Sequence, residues 1–93
     1  MAWSDANQHM AHAIGARLEF GAATLDANGT VEVATHLSGS SIYAGFATYK
    51  SGAIAEGGLR VDCTITSDAV TVADSLGAVN AGAIVNYLFI GLP

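Results

Sequence analysis

The side chains able to do chemistry are three histidines, eight acids, one cysteine and a run of serines. His9 and His12 stand three apart, so a helical segment would put both on one face, with Asp5 nearby. Metal sites of that kind need three or four rigidly held ligands, which a terminal arm supplies poorly. Both histidines therefore read as solvent-facing, and no metal or other cofactor is expected. His36 lies close in sequence to Ser38, Ser40 and Ser41, the ingredients of a nucleophilic triad. No Gly-x-Ser-x-Gly elbow accompanies them, and Gly39-Ser40-Ser41 reads as a loop after a strand. Glu19 and Glu32 could pair as glycosidase carboxylates only by facing a common cleft; their pattern places them on a solvated strand face. Gly57-Gly58 lacks the Lys and following helix of a phosphate loop. Cys63 sits inside a strand-like run, reads as a small core residue, and has no partner for an intrachain disulfide. Asn28-Gly29-Thr30 matches a glycosylation sequon but reads more simply as a turn. No catalytic constellation is expected, and the chain is read as a non-enzyme.

The elements that would position these groups are short strands. The chain has 93 residues, enough for one domain, of which residues 1–15 read as an N-terminal arm and 16–93 as the folded unit. The clearest unit runs from Arg17 to Thr35 and is broken by Asp26-Ala27-Asn28-Gly29. With that four-residue loop as a hairpin turn, Leu25 faces Thr30 and Thr24 faces Val31. One face then gathers Leu18, Phe20, Ala22, Thr24, Val31, Val33, Thr35 and Leu37 toward the core; the other carries Arg17, Glu19, Leu25 and Glu32. A slip of one residue would invert the two sets. Further strands are expected over Ser41–Thr48, with Ile42, Ala44, Phe46 and Thr48 on one face, and over Leu59–Thr66, where Leu59, Val61, Cys63 and Ile65 alternate with Arg60, Asp62 and Thr64. Ser67-Asp68 turns tightly into Ala69–Ala73. Ala83–Ile90 is apolar on both faces, which fits a central strand or one covered by a subunit. Loops fall at Ser38–Ser41, Lys50–Gly58 and Asp74–Gly82. The fold class is all-β, an antiparallel β-sandwich or small jelly-roll-like barrel preceded by the arm.

Composition narrows the function. Hydrophobic residues make up 52% of the chain and charged residues only 12%, about half the usual charged share. So small a domain has much surface to cover, and few charges cover it; part of that surface is expected to meet other protein. The net charge is −5, and Arg17, Lys50 and Arg60 are the only strong cations. That argues against nucleic acid, which needs clustered Lys and Arg, and against an anionic membrane surface. No basic and apolar leader opens the chain. The uncharged stretch after Asp74 is broken by Asn and Gly and reads as a strand, not a membrane span. Trp3 on the arm either packs back on its own domain or inserts into a neighbour.

One resemblance runs through the middle of the chain. Gly29-Thr30-Val31-Glu32-Val33-Ala34-Thr35-His36-Leu37-Ser38, then Ser41-Ile42-Tyr43-Ala44-Gly45-Phe46-Ala47-Thr48, then Tyr87-Leu88-Phe89-Ile90-Gly91, is similar in order to a pattern in small tailed-bacteriophage virion proteins. The resemblance implies a capsid decoration (cement) or head accessory protein on the outer capsid surface of the virion. Such proteins are commonly trimeric and engage the major capsid protein through an extended arm. On that reading Trp3, Met10 and Ile14 contact the partner, while Tyr87, Leu88 and Phe89 belong to the subunit interface or the core. The alternative is a carbohydrate- or receptor-binding β module of a phage tail or head fibre, using Tyr43, Tyr49, Tyr87 and Phe46 as an aromatic platform.

Overall fold

A computed structural model describes residues 15–55 and 57–93. The chain is all-β. Its strands are β1 (Arg17–Thr24), β2 (Thr30–Ala34), β3 (Ala44–Ser51), β4 (Leu59–Val61), β5 (Ala69–Asp74) and β6 (Ile84–Gly91), with one 3-10 turn over Gly77–Asn80. They form two antiparallel three-stranded sheets, ordered β1-β6-β3 and β2-β5-β4. Val85 and Phe89 of the first sheet meet Val33, Val70 and Val72 of the second in one core, closed at its margins by Leu25, Leu37, Ile42 and Ala83.

The doubly apolar Ile84–Gly91 segment is central, as its pattern predicts: β6 pairs with β1 on one side and β3 on the other. The alternation from Leu59 to Ile65 also holds, with Leu59, Val61, Cys63 and Ile65 packed against the core. Only Leu59–Val61 of that run is regular strand; the remainder pairs through isolated bridges, Ser41 with Thr64 and Thr66 with Ala69. Ser67 and Asp68 make the expected tight turn, both at positive φ (52° and 60°), the backbone of a two-residue hairpin loop.

The expected hairpin between Arg17 and Thr35 does not form. β1 and β2 belong to different sheets, and Asp26–Gly29 is a corner between them. Leu25 continues the pairing of the first sheet, donating its N–H to the Ala83 carbonyl (2.9 Å) and accepting from Gly82 N–H (3.0 Å). The corner is held by the Asp26 carboxylate, which accepts from Asn28 N–H (2.8 Å), Thr30 N–H (3.1 Å) and the Thr30 hydroxyl. Gly29 carries φ +76°, and a Cβ there would lie 2.0 Å from the Gly77 carbonyl oxygen. Only glycine meets both demands.

The face assignment of β1 is also reversed. Leu18 and Phe20 point away from the core and Leu25 is buried in it. The shared face expected for Ile42, Ala44, Phe46 and Thr48 divides: Ile42 is buried just before β3, whereas Phe46 and Thr48 look outward and β3 runs on to Ser51. The cause is the width of the sandwich beside β6. Tyr87 and Phe89 stack with ring centroids 4.8 Å apart and fill the space beneath both flanking strands. A Cβ on Gly21 would sit 2.7 Å from the Tyr87 hydroxyl, and one on Gly45 2.4 Å from Val61 Cγ1. The inward positions directly over Tyr87 and Val61, Gly21 and Gly45, must be small, and the rings of Phe20 and Phe46 beside them face out.

The two flanks of the sandwich differ. On one, the stretch before β3 joins the stretch after β4: Ile42 N–H donates to the Cys63 carbonyl and Ile65 N–H to the Ser40 carbonyl, both at 2.8 Å. On the other, β1 and β2 are both sheet edges, bridged by a side chain described below.

Candidate functional site: an apolar sheet face

Two networks of polar side chains hold the fold. Glu19 projects from β1 across the open flank. Its carboxylate accepts from the Thr35 hydroxyl and from His36 N–H (3.1 Å to each oxygen), with the His36 Nδ1 at 3.5 Å. Partial burial works to raise this carboxyl, but the Thr35 and His36 hydrogen bonds outweigh it and hold the group below its ordinary value. Glu19 is thus a bridge between the sheets, not the solvated acid expected from its pattern; Glu32 is exposed as expected. The His36 ring is open to solvent, and the Ser38 hydroxyl donates to the Pro93 carbonyl (2.5 Å).

A second network closes one end of the sandwich. Asp74, at the end of β5, accepts from the Tyr49 hydroxyl, from Leu76 N–H (2.7 Å) and from the Asn80 amide (2.9 Å). The Tyr49 hydroxyl, then the Leu76 and Asn80 donors, lower the Asp74 carboxyl below the usual range. Burial, followed by the contact with Asp74, raises the Tyr49 phenol. Asn80 is fully buried in the 3-10 turn. Its oxygen accepts from Ile54 N–H (2.8 Å) and Ala55 N–H (3.1 Å), and its amide also donates to the Ala55 carbonyl (2.9 Å). Two long loops are thereby fastened together. Among the described residues, no group of three or more His, Cys, Asp or Glu side chains could hold a metal ion, and no helix is long and apolar enough to cross a membrane.

The surface feature with no internal use is the outer face of the β1-β6-β3 sheet. Register aligns its side chains in rows across the three strands: Leu18 with Ile90 and Ala44, then Phe20 with Leu88 and Phe46, then Ala22 with Asn86 and Thr48. None of these carries a charge; Lys50 lies at the bulge that ends the β3 pairing. Phe20 is 78% exposed and Phe46 58%. Leaving such a ring in water forgoes about 1.5–3 kcal/mol of burial, and a row of them is an apolar patch rather than scattered exposure. The outer face of the other sheet is the opposite. Glu32 sits beside Thr71, Arg60 beside Ala73, and Asp62 donates its N–H to the Thr71 carbonyl, so charges of both signs line it.

Of the residues assigned from sequence, Leu88 lies on the apolar face. Phe89 is fully buried in the chain's own core, and Tyr87 packs half-buried beside it. Tyr49 is likewise turned inward onto Asp74, leaving Tyr43 and Phe46 as the exposed rings of the suggested aromatic platform. Trp3, Met10 and Ile14, with His9 and His12, lie outside the described residues. Sequence reading missed Phe20 and Leu18 because apolar residues on a strand are assigned to the core by default. A glycine on one side of each exposed ring, Gly21 after Phe20 and Gly45 before Phe46, was the available signal. Comparison with protein-family models, with curated proteins and with solved structures finds no match for this chain.

Proposed function

We propose that this chain is a structural subunit of a virion, a capsid decoration protein that binds the outer capsid through the major capsid protein and stabilises the shell, working as a homotrimer. The observation that carries the reading is the division of the sandwich into an uncharged apolar face and a charged one. A protein alone in water has no use for the first; a subunit with one side against protein and one against solvent needs both. The resemblance of the Gly29–Thr48 and Tyr87–Gly91 segments to phage virion proteins supplies the identity of the assembly. A subunit that binds the closed shell and not its dissociated parts stabilises the shell by mass action.

The test is co-sedimentation with shells lacking the protein, followed by heating. The reading expects saturable binding and a higher temperature of shell disruption. Absence of binding at micromolar protein would overturn it. The second reading, a carbohydrate- or receptor-binding β module, is favoured by the open rings of Tyr43 and Phe46. It expects a glycan-array signal that disappears in Phe46→Ala.

A further inference from the structure

We infer that the apolar face of the β1-β6-β3 sheet is covered by a second copy of this chain, with Phe20 of one copy seated in a hollow on the next. The inference rests on the assembly reading above and names the occupant of that face. A knob and a hole lie on the same surface. The knob is Phe20 on edge strand β1, 78% exposed and directly across from Leu88. The hole is a depression of about 160 Å³ between β3 and β6, lined by Phe46, Thr48, Asn86 and Leu88 with Ala47 and Tyr87. A cavity of about 150 Å³ is enough to hold a benzene ring, so the hollow suits one phenyl group. Phe20 lies on the β1 side of the sheet and the hollow on the β3 side, so a chain cannot fill its own.

Charge points to the same occupant. The face carries no charged side chain in the paired rows, so it has nothing with which to select a charged partner surface. Another copy of the same face matches it without burying an unpaired charge. Knob and hole are separate patches of one face, so the contact closes either as a two-fold pair, each copy filling the other's hollow, or head-to-tail as a ring. Three copies arranged about an axis would enclose the three apolar faces and turn the three charged sheets outward.

The experiment is solution mass by light scattering across a dilution series, on the full chain and three variants. The wild type should be a multimer that dissociates on dilution. Phe20→Asp removes the knob and Thr48→Trp fills the hole, and each should weaken association by tenfold or more. Glu32→Lys, on the opposite sheet, should leave association unchanged. Circular dichroism on each variant confirms the fold. A wild type that is monomeric at every concentration overturns the inference, as does a multimer indifferent to both Phe20→Asp and Thr48→Trp. Shell co-sedimentation run in parallel separates the two claims. A monomer that still binds shells defeats this inference and the trimer but leaves capsid binding standing, and a knob-in-hole multimer that binds no shell defeats the capsid reading alone.

Discussion

Asn80 sits in a stretch that reads as loop, yet its side chain is fully buried and meets Asp74, Ile54 and Ala55. Asn80→Ala would strand the Ile54 and Ala55 N–H groups and part of the Asp74 carboxylate. Ile54 is itself exposed, so water replaces part of what is lost; removing hydrogen bonds worth about 0.5–1.5 kcal/mol each should lower stability in urea titration. Gly45→Ala would drive a methyl into Val61 and should cost about 1–3 kcal/mol by overpacking, read the same way. Acid should also weaken the fold. The Asp74, Glu19 and Asp26 carboxyls are all held below their ordinary values by hydrogen bonds, so the folded state binds their protons less tightly than the unfolded chain does. Their contribution is complete above the unfolded value of about 4 and disappears as pH falls through the lower folded values. Stability measured from pH 7 to pH 2 should therefore be level and then fall, and Asp74→Asn should make that fall shallower. The Glu19–Thr35, Tyr49–Asp74 and Asn80–Ala55 bonds were not legible in the sequence, because each joins residues far apart in the chain that meet only in the closed sandwich.

At the scale of elements, local pattern revealed where strands lie better than which strands meet. The central position of β6 was readable because a strand apolar on both faces has no solvent side. The Leu59–Ile65 alternation was readable because one face is charged. The Arg17–Thr35 hairpin was not, since Asp26-Ala27-Asn28-Gly29 has the residues of a tight turn whether the chain folds back or crosses to the other sheet. What decides is Leu25, which stays bonded to Gly82 and Ala83 and carries the corner with it. The inverted face of β1 has a packing cause: Tyr87 and Phe89 occupy the room its inward side chains would need. Hydrogen exchange should reflect this order. The β6 amides, in a strand paired on both sides, should be the slowest to exchange, and the three-residue β4 among the fastest. Thr35→Ala, which removes a donor from the Glu19 bridge, should speed exchange in β1 more than in β3.

Over the whole molecule, sparse charge raised the expectation of surface for other protein to cover, and the fold gathers exposed apolar side chains on one sheet face. Apart from Arg17 at the start of β1 and Lys50 at the β3 bulge, the charges of the described residues sit on the β2-β5-β4 sheet, at corners and in the Asp74 and Glu19 networks, leaving the paired rows of the β1-β6-β3 face bare. Composition could not say which face, because the answer depends on the parity of two strands whose bulky residues look outward. Tyr43 and Phe46 make a built-in comparison, since each is 58% exposed in the isolated chain and only Phe46 lies within the paired rows of the apolar face. The most direct measurement is carbene or hydroxyl-radical labelling of the two rings at working concentration, each normalised to its yield in the denatured chain. The account predicts strong protection of Phe46, and of Phe20 with it, while Tyr43 stays reactive. Equal labelling of Phe46 and Tyr43 would show the face open to water and contradict the account.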